Sequence, residues 1–299
     1  MRVAAIQTTA GDDRTANLAE AGALVDEAAA AGAELVVLPE YFSVAGSPEV
    51  LRAGAERLDG PTMTWASSTA SRLRIHMVAG SFPERSTTGD GRLANTSCLV
   101  GPDGTTMAVY RKIHLFDVDL GEVATKESDT FAPGHEVVVV PLVTALAGAG
   151  PRAGVGVGDL QPVLGLSVCY DIRFPEIYRI MALEGATVVA VPAAFTAATG
   201  PAHWELLLRA RAVEDQVFVI GAGQVGVLPA GMPRCHGHSM IVDPWGVVLA
   251  KRTEPDPGVV VADLDMDSLS EVRSRLPVLA NRQPGAYVGP HGNWRGTPF

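Results

Sequence analysis

Short runs of Val, Ile, Leu and Ala alternate along the chain with longer stretches whose apolar residues recur every third or fourth position. That pattern marks strands interleaved with amphipathic helices. VAAIQ at 3–7 predicts a first strand. Residues 14–31 carry Leu18, Ala21, Leu24, Val25 and Ala28 on one stripe, and Gly32 then suits a helix stop. LVVLPE at 35–40 is apolar until its proline, which predicts a strand buried on both faces with Glu40 at its C-terminal end. A second helix is predicted from Pro61 to near Arg74, because proline fits a first helical turn. IHMVAGSF at 75–82 reads as one strand. TSCLVGPDGTTMAVYRK at 96–112 reads as a hairpin through Gly-Pro-Asp-Gly.

The second half repeats the alternation. EVVVVP (136–141), VLGLSVC (163–169), TVVAVP (187–192), VFVIGAG (217–223) and GVVVADLD (258–265) predict strands. HSMIVDPWGVVLAK (238–251) predicts a hairpin. FPEIYRIMALEGA (174–186), PAHWELLLRARAVEDQ (201–216) and DMDSLSEVRSRL (265–276) predict helices, the first with proline at its start and glycine at its end. Strand–helix units mixed with hairpins favour a layered α/β domain with mixed sheets over a purely doubly wound one. The Ala-, Gly- and Val-rich segment 143–158 reads as a flexible surface loop. No linker divides the chain, so a single domain over 1–299 is expected, its core about 1–280 and its tail 281–299.

Composition narrows the function classes. The 299 residues are 47% hydrophobic, enough for a large core, and 23 Lys and Arg against 33 Asp and Glu leave a net charge of -10. Such a surface repels phosphate backbones, so nucleic acid is not an expected partner. No apolar segment nears the ~20 residues of a membrane span, and MRVAAIQTTAGDD lacks an apolar stretch of signal-peptide length. A soluble, cytoplasmic protein is expected. Cys98, Cys169 and Cys235 are an odd set in a long chain, so free thiols are expected rather than a disulfide framework.

Candidate chemistry starts at LSVCYDIRFPE, 166–176. Cys169 could be a buried space-filler, since free cysteine is among the most buried residue types. It could equally be a nucleophile. It ends a predicted strand, where α/β proteins place sites. A helix predicted from Phe174–Pro175 would turn its positive end toward the thiol and favour the thiolate. Tyr170, Asp171, Arg173 and Glu176 add polar groups uncommon at a core edge. A nucleophile needs a base. None of His76, His114, His135, His203, His236, His238 and His291 has a context that singles it out. Cys235, His236 and His238 match no structural zinc spacing and read as a loop-to-strand transition. A carboxylate is the alternative: Glu40, at the end of a buried strand, would have its pKa pushed upward by desolvation. Its plain reading is a surface Glu at a strand end. Lys112, in VYRKIHLFD, is by itself an ordinary solvated lysine.

Together these segments resemble a known family. LPEYF around Glu40, YRKIHLFD around Lys112 and SVCYDIRFPE around Cys169 resemble, in order, spacing and flanks, the three catalytic motifs of the nitrilase superfamily, the carbon–nitrogen hydrolases. The likeness extends to TGPAHWELLLRARAVEDQ (199–216), GHSMIVDPWG (237–246) and LDMDSLSEVRSRLP (264–277), so it covers nearly the whole chain. FTAATGPAHWELL and KIHLFDVD look most like the branch of omega-amidase and deaminated glutathione amidase. KIHLFDVD leans to the first, CYDIRFPE and GHSMIVDPWG to the second.

The resemblance implies an αββα sandwich, four-layered on dimerisation, a homodimer or higher homo-oligomer, and no cofactor or metal. It implies Cys169 as nucleophile, Glu40 as general base and Lys112 as electrostatic stabiliser, with the Tyr170 backbone N–H beside Lys112 in the oxyanion site. Glu127, in KESDT, matches a second glutamate that orients Lys112 and the base; the alternative is a solvated loop Glu. Arg173 is placed to clamp a substrate carboxylate, or else to pair with Asp171, Glu176 or Glu205. Phe195, Thr199 and Tyr41 match positions near the family's pocket, while Trp204 fits either the pocket or helix-packing core. Residues 142–160 look longer than the family carries, and VGVLPAGMPRC at 225–235 is this chain's own, so both bear on substrate choice. The expected activity is hydrolysis of a small carboxylate-bearing amide through a thioester, releasing ammonia. A nitrilase, an N-carbamoyl amidase, and a non-catalytic binding protein on the same fold are the alternatives.

Overall fold

The computed structural model describes residues 1–85, 89–119, 121, 124–142, 161–228 and 232–287. The first half of the chain runs β1 (Arg2–Gln7), α1 (Arg14–Ala30), β2 (Leu35–Val37), α2 (Pro48–Ala53), α3 (Pro61–Leu73), β3 (His76–Val78), β4 (Phe82–Glu84), β5 (Ala94–Val100), β6 (Thr106–Arg111) and a small hairpin, β7 (Asp117–Asp119) with β8 (Ala124–Lys126). The second half runs β9 (Val138–Pro141), β10 (Val163–Leu166), α4 (Pro175–Leu183), β11 (Val188–Ala193), α5 (Gly200–Asp215), β12 (Phe218–Gly223), β13 (Val225–Gly226), β14 (Cys235–His236), β15 (Met240–Val242), β16 (Val248–Lys251), β17 (Gly258–Asp263) and α6 (Met266–Arg275).

The strands form two large mixed sheets. One is ordered β17-β1-β2-β3-β5-β4, with β6 on β5; the other is β16-β15-β12-β11-β10-β9. β1 pairs in parallel with β2 and antiparallel with β17, so strands from the two ends of the chain share one sheet. Side chains alternate across a strand. Val3 and Ala5 of β1 therefore join the core with β10, β11 and β12, whereas Ala4 and Ile6 face Ala21, Val25 and Ala28 of α1 and Met63 and Ala66 of α3. The second sheet's other face is covered by α4 and α5, through Ile177, Met181, Trp204 and Leu208. The layers run helix, sheet, sheet, helix. This is the expected αββα sandwich, and all four layers lie within one chain.

Most elements fall where the hydrophobic pattern put them. The helix predicted from Pro61 ends at Leu73, one residue before Arg74, which takes a left-handed φ of 57°. The strand expected over 75–82 is instead two, β3 and β4, broken at Gly80. There φ is 38°, and a Cβ would sit 2.0 Å from the Pro39 carbonyl oxygen, so only glycine lets the two backbones meet. α2 and the β7–β8 hairpin have no counterpart in the sequence reading; both are too short for periodicity to register. Cys235 and His236 do form a short strand, β14, as a loop-to-strand transition would. The loop expected at 143–158 lies outside the described residues, as do 229–231 of the 225–235 stretch and the tail from 288 on.

Candidate active site

The site sits where the C-terminal ends of parallel strands from both sheets converge. β2 stops at Val37, and the segment behind it is fixed by backbone bonds from Leu38 N to Val78 O and from Ser81 N to Pro39 O. Tyr41 turns the chain with a φ of 57°, its N–H donating to Ser81 Oγ at 3.2 Å. Gln224, just past β12, donates from Nε2 to the Glu40 carbonyl at 3.0 Å. This scaffold drives the Glu40 side chain inward. Its Oε1 accepts from Asn95 Nδ2 and Lys112 Nζ, each at 2.9 Å, and its Oε2 accepts from the Ala194 N–H at 2.8 Å. Glu40 is 2% exposed, so it is not a surface residue at a strand end.

Lys112 follows β6 directly and is also 2% exposed, which rules out the solvated reading. Its ammonium lies between two carboxylates, 2.9 Å from Glu40 Oε1 and 2.8 Å from Glu127 Oε2. Burial alone would drag its pKa down. The charges of Glu127 and Glu40 outweigh burial and hold it well above its ordinary value. Glu127 opens a single helical turn after β8. Its carboxylate accepts from Lys112, from Tyr41 Oη at 2.9 Å, from Asn95 Nδ2 at 3.1 Å and from the Phe116 N–H at 2.6 Å. A solvated loop glutamate makes no such set of contacts. Burial, and then the Glu127 and Glu40 charges, keep the Tyr41 phenol well above its usual range, so it stays a neutral donor.

Cys169 is placed differently from expectation. β10 ends at Leu166, and Cys169 instead opens a 3-10 turn, Cys169–Arg173, with a left-handed φ of 50°. A non-glycine residue there stores backbone strain, a feature that clusters at functional sites. The thiolate favoured by the following helix is also not found. Burial first, and the Glu40 carboxylate second, hold the Cys169 thiol well above its ordinary value, against the pull of Lys112. With one ammonium against two carboxylates the cluster already carries net negative charge, so the resting sulfur keeps its proton. Cys98 and Cys235 are buried, free and pushed up to about 12.

These groups line one pocket of about 120 Å³, open to solvent. Each residue singled out from the sequence, Glu40, Tyr41, Lys112, Glu127, Cys169, Tyr170, Arg173, Phe195 and Thr199, is on its wall. Trp204 is not; it is buried under Phe195, with its Nε1–H on the His238 carbonyl, and is core. Arg173 makes none of the ion pairs weighed for it. Glu205 pairs with Lys251 and Arg209 instead. The Arg173 guanidinium lies 5.0 Å over the Phe195 ring and 5.8 Å over Tyr170, steadied by Thr199 Oγ1 at 3.3 Å and His203 Nδ1 at 3.2 Å. Among the described residues it has no carboxylate partner. No histidine is hydrogen-bonded to the thiol among the described residues, and no group of three or more His, Cys, Asp or Glu there is arranged to hold a metal ion.

Sequence reasoning missed Asn95 and Gln224. Both are polar residues at or beside strands that are buried throughout, β5 and β12. Asn is depleted in strands, so an Asn inside ANTSCLV was the one available signal.

Comparison with known proteins agrees with the geometry. The profile described as carbon-nitrogen hydrolase matches residues 2–274. A deaminated glutathione amidase of Synechocystis sp. is 40% identical over 280 residues, which is 93% of this chain and 97% of that protein. An omega-amidase of Danio rerio is 38% identical over 96% of each chain. Among solved structures, a Saccharomyces cerevisiae member of branch 10 of the nitrilase superfamily superimposes with a TM-score of 0.79 at 29% identity, covering 95% of this chain and 96% of its own. A mutant amidase from Nesterenkonia sp. AN1, captured after Michael addition of acrylamide at its active-site cysteine, gives 0.69 at 28% identity, over 93% of this chain and 98% of its own.

Proposed function

The chain belongs to the carbon–nitrogen hydrolase family as an amidase, and from that premise we propose that it hydrolyses a small carboxylate-bearing amide, of 2-oxoglutaramate, 2-oxosuccinamate or deaminated-glutathione type, using Cys169, Glu40 and Lys112. The observation that carries the substrate class is Arg173, a guanidinium on the pocket wall with no carboxylate partner among the described residues.

The chemistry runs through the buried cluster. The amide carbonyl carbon meets Cys169 Sγ, and Glu40 takes the thiol proton as the sulfur–carbon bond forms. The proton must leave during attack, since the resting thiol is held neutral. Charge develops on the carbonyl oxygen, and the Lys112 ammonium and the Tyr170 N–H receive it at the floor of the pocket, where Glu40, Lys112 and Cys169 are buried. Lys112 Nζ lies 2.9 Å from Glu40 Oε1 and 2.8 and 3.1 Å from the two Glu127 oxygens, which hold the ammonium on the pocket wall where the oxyanion forms. Collapse breaks the carbon–nitrogen bond, Glu40 returns its proton to the leaving nitrogen, and ammonia departs. Glu40 then takes a proton from water, whose oxygen attacks the thioester. The carbon–sulfur bond then breaks, Glu40 returns that proton to the sulfur, and the acid leaves with the thiol restored. Glu127, with Tyr41 and Asn95, keeps Lys112 and Glu40 in register. Phe195 and Thr199 hold Arg173, which binds the substrate's distal carboxylate in two-pronged fashion.

Substrate choice is tested at Arg173. Losing a charge-assisted, two-pronged contact costs about 1.5–3 kcal/mol, so Arg173→Leu should raise KM for an anionic ω-amide by about 10–100-fold. A neutral aliphatic amide should be turned over as before. Ammonia release from matched acid and neutral amides decides it: equal losses on both would remove Arg173 from recognition. A nitrile turned over faster than the amides, or carbon dioxide released with the ammonia, would move the reading to a nitrilase or an N-carbamoyl amidase.

The chain is one carbon–nitrogen hydrolase domain over 1–299, with a core of about 1–280, since β17 closes the sheet that β1 begins. It works in the cytoplasm; its thiols are free, and no described helix is long and apolar enough to cross a membrane. It pairs into a homodimer through the exposed Leu206 and Val213 of α5 and Trp245 and Val247 of the neighbouring hairpin. Arg209 Nε on the Gly246 carbonyl ties the two elements into one apolar face. Sedimentation should give twice the chain mass, and Trp245→Glu should halve it; a wild-type monomer at micromolar concentration would refute the dimer.

A further inference from the structure

Asp171 stands two residues past Cys169, has no exposed surface, and has no Lys or Arg partner among the described residues. It accepts hydrogen bonds from two different parts of the site. Oδ2 takes the Val168 N–H at 2.8 Å and the Tyr110 hydroxyl at 2.7 Å. Oδ1 takes the His114 backbone N–H at 3.0 Å, and His114 Nδ1 lies 2.8 Å away. A carboxylate oxygen only accepts, which puts the imidazole proton on Nδ1. Burial, and then the Asp171 charge, hold the Tyr110 phenol well above its usual range, so it too remains a donor. The His114 ring is clamped from its other side, stacked on Phe174 at 3.6 Å and 7°.

The sequence positions of these donors matter. Tyr110 and His114 lie two residues before and two residues after Lys112. Val168 immediately precedes Cys169, whose φ of 50° is held by the same turn. One carboxylate therefore grips both flanks of the ammonium-bearing segment and the entry of the sulfur-bearing turn. The two segments come from different sheets, and the Lys112 backbone is bonded on its own side, to Asn95 O and from Gly134 N.

We propose that Asp171 is a positioning residue: through Tyr110 and His114 it fixes the gap between Lys112 Nζ and Cys169 Sγ in which the oxyanion forms. This rests on the reading of Cys169 and Lys112 given above. Catalysis is sensitive to such a gap, because a misplacement of about 1 Å costs about 100-fold. The pocket wall at Arg173 is untouched by these bonds, so the effect falls on the chemical step and not on binding.

Two conservative variants test this without removing the carboxylate. Tyr110→Phe deletes one donor, and His114→Phe deletes the ring N–H while keeping the stack on Phe174. Each should lower kcat by about 10-fold, leave KM within about twofold and leave thermal stability near that of the wild type. Asp171→Asn should cost about 100-fold or more, since an amide offers one accepting oxygen and turns its NH₂ toward donors. If Asp171→Asn fails to fold, the two Phe variants decide alone. Wild-type kcat in both folded Phe variants would overturn the proposal, and so would a rise in KM at unchanged kcat. Cys169→Ala run alongside separates the two layers: turnover in that variant condemns the nucleophile assignment, whereas a dead Cys169→Ala beside fully active Phe variants condemns only Asp171.

Discussion

Cys169→Ala should release no measurable ammonia from any ω-amide, a loss of at least about 10⁴-fold, while the protein folds as before. The size of the effect follows from the geometry. Cys169 is the only thiol on the pocket wall among the described residues, and Cys98 and Cys235 are buried and held as neutral thiols near 12. No histidine is bonded to the site's thiol among the described residues, and Glu40 and Glu127 are both engaged with Lys112, so no substitute nucleophile stands ready. The fold is spared because removing one sulfur from a pocket wall opens no new core cavity. Ammonia release, intact mass after mixing with substrate, and thermal unfolding measured together check the claim. Wild-type should carry an acyl adduct on Cys169 and the variant none. Turnover at the wild-type rate in Cys169→Ala would refute the mechanism outright.

How much of this was legible before the fold was known differs from residue to residue. The strands and helices were, because a buried parallel strand such as LVV and a striped helix such as 14–30 each carry a period of their own. Glu40, Lys112 and Cys169 were legible through their flanks, which resemble a family, and hardly at all through local chemistry. A lysine followed by Ile113 and His114 looks solvated until two carboxylates over seventy and fifteen positions away, at 40 and 127, are seen to surround it. The state of the Cys169 thiol was misread for the same reason. The following helix suggested a thiolate, but the state of the sulfur is set first by burial and then by the charge of Glu40, 129 positions upstream. Asn95 and Gln224 escaped, and Asp171 registered only as a polar flank of Cys169, because their importance lies in what they join: a strand to two carboxylates, β12 to the backbone of Glu40, and one sheet's lysine to the other sheet's cysteine. Pairings between sheets leave no periodic trace in a sequence.

Lys112→Met should damage both stability and activity, and a second substitution should separate the two. Glu40 Oε1 and Glu127 Oε1 are both within hydrogen-bond reach of Lys112 Nζ, at 2.9 and 3.1 Å, and of Asn95 Nδ2, again at 2.9 and 3.1 Å. Replacing the ammonium by a thioether leaves two buried carboxylates facing each other. Breaking a buried ion pair from one side costs about 3–5 kcal/mol, which in a chain of this size lowers the unfolding midpoint by about 5–10 °C. One of the two carboxylates escapes the repulsion by keeping a proton. When that one is Glu40, the base is lost as well as the oxyanion's cation, and turnover should fall by about 10³-fold or more. Adding Glu127→Gln removes one of the opposed charges. The double variant should therefore regain most of the lost thermal stability and none of the activity. Thermal unfolding and ammonia release on the single and double variants give the answer. If activity returned with stability, Lys112 would be holding the site together and not stabilising the transition state. If Lys112→Met alone kept wild-type turnover, the oxyanion would have to find its charge elsewhere, and no other ammonium or guanidinium among the described residues lies between Glu40 and Glu127.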